Sequence, residues 1–167
     1  MAVVNTKSAY VTALDAAAPQ DKVLVTLAGG RVREVAGTVE VAAADDDTSV
    51  FRLVRVPSNA KIVGIYLYND ALTSGTSYDL GLYQTAANGG AVVDVDAYAS
   101  ALDLSSARVA PLECSFEARN IDKIQNLVWE DAGLSADPSR LYDIALTANT
   151  IGSAAGTISA RVFYVID

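Results

Sequence analysis

The chain has 167 residues, with 12 basic and 20 acidic side chains, no histidine and one cysteine, for a formal charge of −8 and a sequence pI of about 4.4. That length suits one domain of ordinary size, able to bury a core without metal or disulfide staples. The scattered basic residues form no phosphate-binding stripe, which argues against nucleic acid as a direct partner, and the lone Cys114 excludes an intrachain disulfide.

Residues 1–20 read as an extended N-terminal arm, small and polar, ending at AAAPQ. The start, MAVVNTKSAYV, lacks the apolar core of a signal peptide, and no run approaches the roughly 18 apolar residues of a membrane helix. The expectation is a soluble chain with no membrane partner, made in the cytoplasm without secretion. KVLVTL (22–27) predicts a short first strand, closed by AGG. RVREVAGTVEVAA (31–43) predicts one strand or two, divided near Gly37. Val39 and Val41 share one face there, and Thr38 and Glu40 the other.

Asp45, Asp46 and Asp47 make a charged turn before SVFRLVRV. Strict alternation in that strand puts Phe51, Leu53 and Arg55 on one face, and Arg52, Val54 and Val56 on the other. Pro57, Ser58 and Asn59 turn the chain. In KIVGIYLYND, Ile62, Gly64, Tyr66 and Tyr68 then share one face, with Val63, Ile65 and Leu67 opposite. Such a strand is covered on both sides, by a core and by either a partner or a helix.

SYDLGLY (77–83) is a further strand, and AANGG is a turn. DVDAYASALDLSS (94–106) reads as one or two helical turns starting near Asp94 or Asp96, and ARVAPLECSFE returns to β structure. RNIDKIQNLVWEDAG predicts a helix over about 120–132. Ile121, Ile124, Leu127 and Val128 form its apolar stripe, Asn120 its cap, Asp122 its first-turn acid and Gly133 its stop. LSADPSR connects to two last strands, RLYDIALTAN and GTISARVFYVI. In the final strand Ile158, Ala160, Val162 and Tyr164 oppose Ser159, Arg161, Phe163 and Val165. YDLGL (78–82) and YDIAL (142–146) echo each other, as two strands in similar settings do. The result is an all-β, two-sheet sandwich of the jelly-roll kind over residues 21–167, with one helix.

Little chemistry is written in the chain. Without histidine it lacks the commonest general base and metal ligand, and no nucleophile elbow, Walker loop or dinucleotide fingerprint occurs. Paired carboxylates at Asp94 and Asp96, or Asp45 and Asp47, admit glycoside chemistry in principle, but the sole tryptophan lies in the predicted helix. Calcium is the better reading of those acids, though neither group has calcium-hand spacing. Turn-forming or helix-capping aspartates account for both. The expectation is therefore a non-enzyme with no catalytic residue, cofactor or metal. Cys114 reads as a small buried filler.

Interface chemistry is better represented. Tyr66, Tyr68 and Tyr83 belong to a tyrosine-rich region, and tyrosine joins large contact area to a polar tip. Arg52 and Arg55 flank that region and suit charge-assisted bonds to a partner, although ordinary surface arginines look the same. Trp129 is either an interface anchor or the residue that locks the helix onto the sandwich.

The segments NTKSAYVT, GRVREVAGTVEVAAADDD, VFRLVRVPSNAKI, YDLGLYQTAANGGAVVDVD and GLSADPSRLYDIALT resemble a family of virion proteins of tailed bacteriophages, along nearly the whole chain. The family role most similar is that of a capsid cement, or decoration, protein. The resemblance implies a jelly roll on the outer capsid surface that bridges major capsid protein subunits and self-associates as a dimer or trimer, made in a bacterial host. It carries no catalytic motif and assigns no binding residue. Other virion parts (head-tail connector, tail or fibre) and a carbohydrate-binding module are the alternative readings.

Overall fold

The structure, a computed structural model, describes residues 7–8, 11–12 and 30–166. The expected strand at 22–27 and most of the expected arm at 1–20 lie outside the described residues. Eight strands are described: β1 (Arg31–Val41), β2 (Val50–Pro57), β3 (Lys61–Asn69), β4 (Ser77–Gln84), β5 (Val92–Leu102), β6 (Arg108–Glu113), β7 (Leu141–Thr150) and β8 (Gly156–Ile166).

They form two antiparallel four-stranded sheets, ordered β1-β8-β3-β6 and β2-β7-β4-β5. The pairings β1 with β8, β2 with β7, β3 with β6 and β4 with β5 are nested, as in one long hairpin. Rolling that hairpin up adds the β3–β8 and β4–β7 pairings and yields the jelly roll. The core lies between the sheets, where Val56, Ile65, Leu67, Leu80, Leu82, Ile144, Leu146, Ile158 and Val162 are fully buried.

Where alternation runs unbroken, the sequence pattern holds. Ile158, Ala160 and Val162 of β8 point inward, while Arg161 is exposed. β1 is one strand, continuous through Gly37 in an unshifted register with β8. A Cβ at Gly37 would sit 1.9 Å from the Leu53 carbonyl oxygen, so glycine there lets β1 close against β2.

Two bulges overturn the expected faces. On β2, Leu53 has no partner: Arg52 pairs with Ala145 and Val54 with Ile144. The extra residue puts Arg52 and Arg55 on the same face rather than opposite ones. On β3, Val63 is the extra residue between Ile62 and Gly64. Ile62 therefore joins Ile65 and Leu67 in the core, and Gly64, Tyr66 and Tyr68 face outward.

The expected helical turns at 94–106 are corrected to strand β5, whose burial alternates from Val92 to Ala97. Its alanines favour a helix intrinsically, but pairing with β4 prevails. The expected helix at 120–132 is present only as two short pieces, a 3-10 turn (Ile121–Gln125) and α1 (Val128–Asp131). Of its expected stripe, Val128 is buried, whereas Ile121 is 77% and Ile124 55% exposed. These pieces dock on the β2–β3 turn: Val128 N–H donates to Ala60 O and Trp129 N–H to Ser58 O. They do not cover the outer face of β3, where Val63 stays 50% exposed.

Candidate interaction surfaces

The centre of the outer face of the β2-β7-β4-β5 sheet is fastened by ion pairs within the chain. Asp143 of β7 is buried there, and both bulge-aligned arginines reach it. Arg55 donates from Nε to Oδ1 at 2.6 Å, and Arg52 from Nη1 to Oδ2 at 2.9 Å. Arg52 also donates to Gln84 O at 2.8 Å and Gly90 O at 2.7 Å, and its guanidinium lies 5.3 Å from the Tyr83 ring centre. Burial pushes the Asp143 carboxyl up, but bonds and charges from Arg55 and Arg52 outweigh it and hold the group below its ordinary value. Tyr83 is itself 4% exposed, its hydroxyl bonded to Thr147, so it supports this cluster from beneath.

The two echoing segments are neighbours here. Leu80, Gly81 and Leu82 pair with Leu146, Ala145 and Ile144. The small pair Gly81 and Ala145 leaves room for β5, whose irregular stretch crosses the outer face. A Cβ on Gly81 would lie 2.2 Å from Val95 O and 2.3 Å from Asp94 O.

A second ion pair organises the β6–β7 connection. The side chains of Arg119 and Asp131 are 2% and 4% exposed and 2.9 Å apart. Arg119 also donates to Lys123 O at 2.8 Å and stacks near Phe116 and Tyr98. This arginine is the one that fixes the connection, and the sequence reading did not single it out.

The opposite sheet leaves its outer face open. One row across it reads Ala36, Arg161, Tyr66, Glu113, and the next reads Thr38, Ser159, Tyr68. Tyr66 meets Phe163 edge-on, ring centres 5.9 Å apart, and both are only half-buried. Val32 is 63% exposed on the same face. Arg161 bonds Glu34 at 2.8 Å with both side chains about half exposed. Shallow grooves flank Tyr68 on both sides, sharing Tyr68 and Ser159 as a common wall.

The six candidate residues thus fall in three places. Arg52, Arg55 and Tyr83 form the closed cluster, Tyr66 and Tyr68 stand on the open face, and Trp129 is half-buried in α1. Asp143, Phe163 and Arg161 were missed as partners. A carboxylate inside an apolar strand was a readable signal for Asp143, since a buried charge requires a cation.

The acids have local work. Asp45 accepts the Ala42 N–H, and Asp47 accepts the Ile151 N–H. Asp96 lies beside Asp94, whose hydrogen bond holds the Asp96 carboxyl above its ordinary value. Among the described residues, no group of three or more His, Cys, Asp or Glu side chains is placed to bind a metal. Cys114 is fully buried, and burial pushes its thiol well up, away from the reactive thiolate.

No family model and no curated protein matches the sequence. Solved structures do. The chain is similar to one in the capsid asymmetric unit of cyanophage Pam1, at 18% identity over 100% of both chains and a TM-score of 0.53. It is also similar to one in the capsid of Ralstonia phage GP4, at 16% identity over 83% of this chain and 86% of that one, TM-score 0.58. The protein therefore has a jelly-roll fold found in chains of phage capsids.

Proposed function

We propose that the protein is a phage cement, or decoration, protein. It is a non-enzymatic component that sits on the outer capsid surface, bridges major capsid protein subunits and self-associates. The observation that carries this reading is the rolled-hairpin jelly roll, overlapping a Pam1 capsid chain from end to end. The resemblance of its sequence segments to phage virion proteins points the same way. A shell-binding protein needs a rigid scaffold and a partner surface, and the two sheets offer one of each. Binding only the assembled shell stabilises it by mass action.

The test is sedimentation with capsids that lack the protein. Saturable binding at a fixed ratio to the major capsid protein is expected. Binding to isolated tails or portals but not to shells would instead make the protein a different virion part.

A further inference from the structure

We infer that the open outer face of the β1-β8-β3-β6 sheet is where a second copy of this chain docks, related by a two-fold axis. This assignment rests on the self-association proposed above. Three observations carry it.

The first is area. Strands of 11, 11, 9 and 6 residues, about 4.8 Å apart and with about 3.3 Å per residue along the strand, give this face roughly 590 Å². Two such faces together bury about 1,200 Å², the lower end of the range of specific interfaces, and Val109 of β6 is 94% exposed on it.

The second is charge. The molecule carries −8, which repels a second copy in general. The rows of this face carry Glu34, Glu40 and Glu113 against Arg161 and Lys61, a near balance. Repulsion between copies is thus small across this face.

The third is self-complementarity. Arg161 sits on the central strand β8, with Glu34 and Glu113 on the edge strands β1 and β6. A two-fold pairing that crosses the sheets sets each copy's central cation against the other's flanking carboxylates. Tyr66, Phe163 and Tyr68 then form the apolar centre, the place where aromatic residues carry most of an interface.

The experiment is sedimentation velocity on the full chain over a wide concentration range, with capsid sedimentation run on the same samples. Wild type is expected as a dimer. Tyr68→Asp and Val63→Asp are expected to weaken it at least about tenfold. Val92→Asp, a 54% exposed site on the other sheet, is expected to leave the dimer intact. Because Val63 is itself half exposed, its variant should fold, which unchanged far-UV circular dichroism verifies. A wild-type monomer, or an oligomer indifferent to both face variants, overturns the assignment even if shells still bind. A wild-type dimer that these variants split, but that ignores shells and shell-free parts alike, keeps the assignment and sinks the cement reading.

Discussion

On the β2-β7-β4-β5 sheet, two arginines hold a carboxylate whose side chain is 4% exposed; on the β1-β8-β3-β6 sheet, one arginine holds a carboxylate that is 46% exposed. The chemistry is the same and the consequence differs. A buried carboxylate has lost its hydration and depends on its cations, so the first cluster fastens the fold. The second pair remains hydrated and screened, so it contributes little to the fold and stays available to a partner. One face is fastened by the chain's own buried ion pairs, and the other is left exposed.

The glycines give one of the two largest expected effects. Gly81→Ala drives a methyl group into the Asp94 and Val95 carbonyl oxygens on the closed face, where backbone cannot step aside. We expect destabilisation of about 3 kcal/mol or more, read from urea unfolding, at or beyond the upper range of overpacking. Gly64→Ala on the open face meets the Tyr66 side chain first, nearest at 2.6 Å. That ring can swing toward solvent, so the expected cost is below about 1 kcal/mol. Equal costs would break the distinction between the faces.

Next comes the buried pair of the β6–β7 connection. Arg119→Ala leaves Asp131 buried without its cation, and stranding such a charge costs about 3–5 kcal/mol. Urea unfolding measures this too, and an effect within error would mean that the connection is not fastened there. For Asp143, either Arg52→Ala or Arg55→Ala alone leaves one cation in place. The double variant should therefore lower the urea midpoint by more than the two singles summed. Simple additivity would show that the arginines act independently.

Acid sharpens the same point. The folded Asp143 carboxyl is held below its ordinary value, so the unfolded chain binds the proton first. Its contribution is complete above the unfolded pKa of about 3.9 and is lost as pH falls through the lower folded value. Wild type should lose stability in that window more steeply than Asp143→Asn, in thermal unfolding followed from neutral pH downward. Parallel profiles would remove Asp143 as the cause.

How much of this could be read from the chain depends on where the register stays regular. β8 and the second half of β1 keep strict alternation, and their faces were legible residue by residue. β2 and β3 each slip by one residue, at Leu53 and Val63, neither of which is a glycine or proline that would announce it. That slip is what brings Arg52 and Arg55 together, so the cluster on Asp143 was hidden although each arginine had been noticed. The helical spacing of Ile121 and Ile124 misled for a different reason. Tertiary bonds to the β2–β3 turn hold the segment as separate short turns, and the stripe never faces the core.

The smallest expected effect lies on the open face and divides the two roles most cleanly. Glu34→Gln removes the carboxylate charge opposite Arg161, with both partners about half exposed. Its effect on monomer stability should stay within about 1 kcal/mol and shrink further in salt. Self-association should respond more, because docking desolvates Arg161 and its carboxylates together. Urea unfolding of dilute protein and sedimentation of concentrated protein would then disagree about the importance of one residue. If both move together, the Arg161–Glu34 pair is a stabiliser of the fold like Asp143, and the contrast between the faces fails at the pair that defines it.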